Sequence, residues 1–376
     1  MSKIKIMTVF GTRPEASKMG PLIKVLKQSP EVDAIVAVTA QHREQLDQTL
    51  DIFGIKPDYD LNIMKPRQTL ADITSYALKG IEEIINGAKP DLVLVHGDTT
   101  TTFAASLAAH YCKTKLGHVE AGLRTYDKFQ PFPEEMNRRL TSALADLHFA
   151  PTSKSKENLI KENISAQTIY VTGNTAIDCL RTTLEEGYTF SRDSLNRLDP
   201  KKKLIVMTAH RRENLGAPLE NICRAAKRFI QRYPDTLLVY AVHLNPAVRE
   251  TVYPILEGTD RIVLTDPLDL KDMHNLMNKS HFVLTDSGGL QEEVPSMGKP
   301  VLVLRNVTER PEAVEAGTVA LAGVSEENVL NACIELMENS EKYNRMAQAK
   351  NPYGDGYASE RILEAVLSDA KVWQSK

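Results

Sequence analysis

His281-Phe282-Val283-Leu284-Thr285-Asp286-Ser287-Gly288-Gly289-Leu290-Gln291-Glu292-Glu293 joins a short apolar run to a polar helix start through two glycines. Apolar runs of this length suit strands buried on both faces of a parallel sheet. The glycines let backbone N–H groups approach a ligand closely. The positive end of the helix that follows favours an anion such as a diphosphate. Glu293 is too acidic to face phosphate, but its carboxylate suits ribose hydroxyls. A tight turn alone would also account for a glycine pair. The layout recurs near the N-terminus as Met7-Thr8-Val9-Phe10-Gly11-Thr12-Arg13-Pro14-Glu15. Two phosphate-suited strand-to-helix turns, one in each half, predict a nucleotide ligand held between two domains.

Outward from these turns, apolar runs alternate with helical-period stretches. Residues 4–10, 34–39, 92–96 and 117–119 read as strands in the first half. The second half repeats the pattern at 204–208, 237–242, 262–264, 282–285 and 301–304. Leu70, Ile73, Ala77, Leu78, Ile81, Ile84 and Ile85 mark one face of a long helix between strands. Such alternation predicts α/β architecture, with helices on both faces of parallel sheets. The expected domains are 1–175 and 176–356, with a last helix at about 357–376 crossing back onto the first. A polar stretch at 185–203 suits a linker.

The 376 residues exceed one usual core, and 42% hydrophobic with 25% charged content is ordinary for a globular protein. A net charge of −3 leaves no footprint for nucleic acid. Cys112, Cys179, Cys223 and Cys333 are scattered and read as buried, reduced thiols. The first residues suit no signal peptide, and no apolar run approaches a membrane span. A cytoplasmic protein is expected.

Ligands of open α/β sheets bind beyond the carboxyl ends of the strands. Arg13, Gln41, His42, Arg43, His96, Asp98, Glu120, His210, Arg211, Arg212, Glu213, His243 and Asp286 fall at or just beyond such ends. That set is unusually polar and argues for an active cleft. Asp98 precedes Thr99-Thr100-Thr101-Thr102 and reads either as a helix cap or as an acid/base group. Glu120, next to Ala121-Gly122, is poorly suited to capping and is open to a ligand. Glu134 and Glu135 follow Pro131-Phe132-Pro133 and suit a helix start, Glu135 above all. His210 suits a phosphate partner or a proton-transfer group, whereas His96 and His118 read as satisfied core residues. Arg310 before Pro311 reads as a diphosphate clamp or a loop charge. No Gly-x-Gly-x-x-Gly opens a helix, no P-loop is present, and no His-Glu-x-x-His spacing marks a metal site.

Taken together, the chain resembles the bacterial, non-hydrolysing branch of the UDP-N-acetylglucosamine 2-epimerase family. The carrying motifs include Phe10-Gly11-Thr12-Arg13-Pro14-Glu15-Ala16, Val95-His96-Gly97-Asp98-Thr99, Gly117-His118-Val119-Glu120-Ala121-Gly122, His210-Arg211-Arg212-Glu213 and Glu309-Arg310-Pro311-Glu312-Ala313. They span nearly the whole chain. The resemblance implies two Rossmann-like domains in a glycosyltransferase-B-like arrangement with an interdomain cleft. It implies reversible inversion at carbon 2 between UDP-N-acetylglucosamine and UDP-N-acetylmannosamine, through elimination of UDP to 2-acetamidoglucal and re-addition. No cofactor or metal is implied; a homodimer is, with a product destined for cell-surface polysaccharide.

By the same resemblance Asp98, Glu120, Glu134 and His210 are the catalytic set. Arg13, Lys18, Arg310, Ser287, Gly288 and Gly289 would stabilise the leaving UDP, and Glu293 would hold its ribose. At the uridine pocket some relatives carry glutamine and phenylalanine where this chain has Leu268 and Met273. A main-chain contact at Leu268 survives that change, and Met273 can pack against a base. A second, activating UDP-N-acetylglucosamine would involve Gln41, Arg67, Gln68, Arg211 and His243. A UDP-sugar transferase and a non-catalytic UDP-sugar sensor compete with this reading. A transferase would need an acceptor, and a sensor has no use for three carboxylates.

Overall fold

The computed structural model describes residues 3–40, 43–65 and 67–373. The chain divides into two compact units, Met1–Thr182 with Tyr353–Lys376, and Thr183–Pro352. The first contains β1 (Ile4–Phe10), β2 (Val32–Val38), β3 (Tyr59–Asp60), β4 (Leu92–His96), β5 (Lys115–Val119), β6 (Leu147–Ala150) and β7 (Ile169–Val171). They form one parallel sheet in the order β3-β2-β1-β4-β5-β6-β7. The second contains β8 (Lys203–Thr208), β9 (Thr236–Ala241), β10 (Ile262–Thr265), β11 (Phe282–Thr285), β12 (Val301–Val303) and β13 (Val319–Leu321). These are ordered β10-β9-β8-β11-β12-β13, again all parallel. Both orders reverse beside the unit's first strand, which is the mark of a doubly wound Rossmann-like sheet.

The central strands are apolar because both faces are covered. Met7, Val9, Val93 and Val95 pack with Ile81 and Ile84 of the helix Leu70–Ala88 and Ala105 and Ala108 of Thr100–Tyr111. Full burial of a valine, isoleucine or methionine side chain stabilises by about 1.5–3 kcal/mol. Ile205, Met207, Leu238, Phe229 and Phe282 build the second core.

The first unit continues past the expected change at 175, because the helix Thr175–Thr183 is tied to the returning chain. Asp178 accepts from the amides of Ala358 and Ser359, and Arg181 donates to the Gly356 carbonyl. The helix Ala358–Trp373 then packs against Arg13–Gln28. Cys179, Cys223 and Cys333 are buried, whereas Cys112 is half-buried, contrary to the expectation for all four. It follows the last turn of Thr100–Tyr111, where the chain leaves the sheet surface. Among the described residues no helix is long and apolar enough to cross a membrane.

Candidate functional site

In the first unit the strand order reverses between β1 and β4, so the turns after these strands face one another. The turn after β1 is not a vacant anion site. The Oε2 of Glu15 accepts from Gly11 N (3.1 Å), Thr12 N (2.9 Å) and Thr12 Oγ1 (2.8 Å). Its Oε1 accepts from Thr99 Oγ1 (2.8 Å) and lies 3.1 Å from Thr102 Oγ1 beyond β4. Glu15 is 2% exposed, and burial raises its pKa against the lowering pull of those hydrogen bonds. This corrects the expectation of two phosphate-suited turns. Gly11 is also explained without a ligand, since a Cβ there would stand 2.0 Å from Thr39 Oγ1.

Beside this clasp three carboxylates gather. Asp98 is not a cap, because Thr99 takes that role by accepting from Thr102 N. Its side chain, 30% exposed, accepts from Arg138 Nη1 at 2.6 Å. Burial raises the Asp98 pKa most. Arg138 and Lys18 oppose the rise, while the negative charges of Glu120 and Glu134 add to it. The expected mutual repulsion of carboxylates is present, as a contribution smaller than burial.

Glu120 follows β5 at φ +62°, a backbone conformation that costs a non-glycine residue about 1–3 kcal/mol and tends to persist at functional sites. Lys18 Nζ and Asn174 Nδ2 donate to its Oε2. Glu134 begins the helix Glu134–Leu144 with a buried Oε2 that has no hydrogen-bond partner among the described residues. Glu135 is structural. It accepts from Thr125 N, Tyr126 N and Arg138, and is wholly buried.

His118 is the satisfied core residue expected, with Nε2 2.8 Å from the Gly97 carbonyl. His96 is not. Its buried Nε2 has no hydrogen-bond partner among the described residues and lies 3.8 Å from Glu120 Oε2. Burial pushes its pKa down to about 4 despite the nearby Glu120, so the ring is neutral at pH 7. Arg138 and Asn174 were not singled out from sequence. Arg138 had a signal, three residues after Glu135 and four after Glu134 on one helix face; Asn174 had none.

In the second unit the order reverses between β8 and β11. Ser287 N donates to Thr285 Oγ1, and Ser287 provides no side-chain cap for Gly288 and Gly289. Neither glycine has a positive φ, and a Cβ on Gly289 would meet nothing closer than 3.8 Å. The protein itself does not require glycine at 289, which fits the close approach of a ligand. Beside Gly288 stand Glu309, Arg211 and Arg310. Burial raises the Glu309 pKa, but Arg211, Arg305 and Arg310 outweigh it and hold the carboxyl down at about 2. Arg310 Nε is bonded to the buried Glu292.

His210, beyond β8, stacks on His243 with centroids 5.0 Å apart. The structure thereby joins a residue expected in catalysis to one expected in activation. Glu293 is met by His274 Nε2 at 3.3 Å, which fixes its direction. Leu268 is buried and Met273 half-buried at the start of the helix Leu270–Lys279.

Of the remaining expectations, Gln41 lies outside the described residues. Gln68 is engaged by its own loop, accepting from Lys65 N and donating to the Ile63 carbonyl. Arg67 is exposed at φ +60°. Arg13 is half-buried at the start of its helix, and Lys18 faces Glu120. No group of three His, Cys, Asp or Glu side chains among the described residues is arranged to hold a metal ion.

Two doubly wound units, one gathering carboxylates and the other an uncapped glycine turn among arginines, define a nucleotide-binding α/β enzyme. A family profile described as UDP-N-acetylglucosamine 2-epimerase matches residues 24–367. A Bacillus subtilis protein named UDP-N-acetylglucosamine 2-epimerase is 59% identical over 98% of this chain and 96% of its own length. A Listeria monocytogenes crystal structure shares 55% identity, with a TM-score of 0.93 over 98% of this chain and 97% of that one. A Neisseria meningitidis UDP-GlcNAc 2-epimerase, solved bound to UDP-GlcNAc, shares 49% identity with a TM-score of 0.88 over 97% and 100% of the two chains. The chain belongs to the UDP-N-acetylglucosamine 2-epimerase family, whose members are isomerases.

Proposed function

We propose that the protein interconverts UDP-N-acetylglucosamine and UDP-N-acetylmannosamine by eliminating UDP to 2-acetamidoglucal and adding it back. The observation that carries this reading is the grouping of Asp98 and Glu120, at the ends of β4 and β5, with Glu134 at a helix start, where the proton affinity of Asp98 is raised. The hydrogen at carbon 2 is weakly acidic, so its loss must be coupled to departure of a stabilised diphosphate. Inversion then requires acid/base groups at both faces of the ring. A carboxyl whose proton affinity is raised, standing beside two further carboxylates, is suited to that work.

UDP would be served by the Ser287–Gly289 amides, Arg310 and His210, aided by Arg13 and Lys18. Glu293 would hold the ribose, and Leu268 and Met273 would border the uracil. Arg211, His243, Arg67, Gln68 and Gln41 would take the activating second UDP-N-acetylglucosamine. The proposed setting is a cytoplasmic homodimer that calls on no cofactor or metal and feeds cell-surface polysaccharide synthesis.

Incubation with UDP-N-acetylglucosamine in D2O, without acceptor, tests this. The reading expects UDP-N-acetylmannosamine deuterated at carbon 2, with label entering the returned substrate more slowly. Inversion with the original hydrogen retained would sink the elimination route. A transferase or sensor would yield no label, and a hydrolase would accumulate free sugar and UDP.

A further inference from the structure

Asp286 follows β11 directly and is wholly buried, and the reaction outlined above gives it no part. Its Oδ2 is fully engaged, accepting from His210 N (2.8 Å), Arg211 N (2.8 Å) and Asn214 Nδ2 (3.0 Å). Its Oδ1 is buried and has no hydrogen-bond partner among the described residues. A buried acceptor without a donor is costly, the more so when charged, so this oxygen strongly favours any donor that reaches it. His210 Nδ1 lies 3.8 Å away, beyond hydrogen-bond range but within a small tilt of a ring that is 40% exposed.

The surroundings define what that tilt would do. The His210 ring lies nearly parallel to that of His243, at an interplanar angle of 13°. His243 Nδ1 accepts from Asn245 N at 3.1 Å, so a neutral His243 carries its proton on Nε2. Burial holds the pKa of His210 down, Asp286 draws it up, and His243 and Arg211 press it lower again. Together these effects favour the neutral imidazole, with Asp286 the carboxylate that opposes them. A diphosphate arriving at the Ser287–Gly289 turn would add negative charge.

We propose that Asp286 is a positioning residue for His210. It binds the Nδ1–H of the imidazole, directs Nε2 to the diphosphate and lets the ring accept a second proton when UDP binds. The inference rests on the reading of the second unit as the UDP site. The second proton comes from the buffer and adds to the Nε2 lone pair. The imidazolium then bridges Asp286 Oδ1 and a phosphate oxygen, and no bond within UDP is made or broken. An aspartate behind a histidine fixes the tautomer in this way in unrelated enzymes. Asparagine there keeps the geometry but offers the wrong partner.

Asp286→Asn supplies the test, since its carbonyl can still accept from the three Oδ2 donors while its amide N–H faces Nδ1. UDP titration calorimetry near pH 8, in buffers of different ionisation enthalpy, counts the protons taken up. The wild type should take up a measurable fraction of a proton. Asp286→Asn and His210→Gln should each take up distinctly less. In 15N-histidine spectra the His210 proton should move from Nδ1 in the wild type to Nε2 in Asp286→Asn. Carbon 2 exchange should fall roughly 10-fold or more with little change in KM, a milder loss than the same replacement in a catalytic triad. Should Asp286→Asn fail to fold, the wild-type tautomer and the His210→Gln proton count decide alone. Equal uptake in wild type and either variant, or Nε2–H in the wild type, overturns the inference and leaves the UDP site standing. Failure of the wild type to bind UDP overturns both.

Discussion

In the first unit the amides after β1, those of Gly11 and Thr12, are bonded to the unit's own Glu15 carboxylate. In the second unit the glycines after β11 follow a Ser287 that supplies no cap, with Arg211 and Arg310 nearby. Both turns lie at the point where the strand order of their sheet reverses. The fold thus builds an anion-ready turn twice and fills one of them internally. A filled turn becomes a rigid support, and what it supports here is the loop carrying Asp98. An unfilled one remains available to a diphosphate. Two copies of one architecture can in this way divide proton chemistry from leaving-group binding.

The largest effects should separate those duties. Glu120→Gln and Asp98→Asn should each lower turnover by at least ~100-fold, the usual scale for losing an acid/base group. UDP affinity by calorimetry should stay near wild type. Near-normal turnover would remove the residue from the mechanism, and lost UDP binding would break the division.

The glycines provide a sharper contrast. In Gly11→Ala the new methyl would stand 2.0 Å from Thr39 Oγ1 and 2.8 Å from Thr101 Oγ1. Overpacking of this kind costs about 1–3 kcal/mol, which thermal unfolding should register. In Gly289→Ala the methyl meets only ordinary contacts within a helix, where alanine is favoured by about 0.5–1 kcal/mol. Its melting temperature should hold or rise, while UDP affinity falls about 10-fold through lost charge-assisted bonds. The reverse pattern would mean that the two turns had been assigned the wrong way round.

A smaller effect concerns pH. Proton-bearing Asp98 is present below its folded pKa and lost as pH rises through it. Arg138 opposes the rise in that pKa, so Arg138→Met should raise it further. The basic limb of carbon 2 exchange should therefore move to higher pH. A limb that stays put or moves to lower pH would take Asp98 out of the proton-donor role.

Much of this was legible in the sequence, and the exceptions have physical causes. β1, β4 and β11 match the predicted runs residue for residue, because strands covered on both faces are mostly apolar; Lys5 of β1 is half-buried near its start. β3, two exposed residues, and β7, three residues of which only Val171 is exposed, are edge strands too short to show a period. β6 was hidden because His148 interrupts its apolar run, and that ring is satisfied by the Ser142 carbonyl.

Asp98 and Glu120 were readable because strand ends are where ligands bind in this architecture. Asn174 was not, since only the folded chain brings it to Glu120. Glu15 did carry a signal. Thr12-x-x-Glu15 is a capping-box spacing, in which the glutamate reaches back to the amide that a phosphate would otherwise occupy.

Amide hydrogen exchange with and without UDP tests the division between the two turns most directly. UDP should protect peptides covering Ser287–Gly289 and leave exchange at Gly11 and Thr12 unchanged, because those amides are already bonded to Glu15. Protection appearing at Gly11 and Thr12, with none at Gly288 and Gly289, would contradict the account.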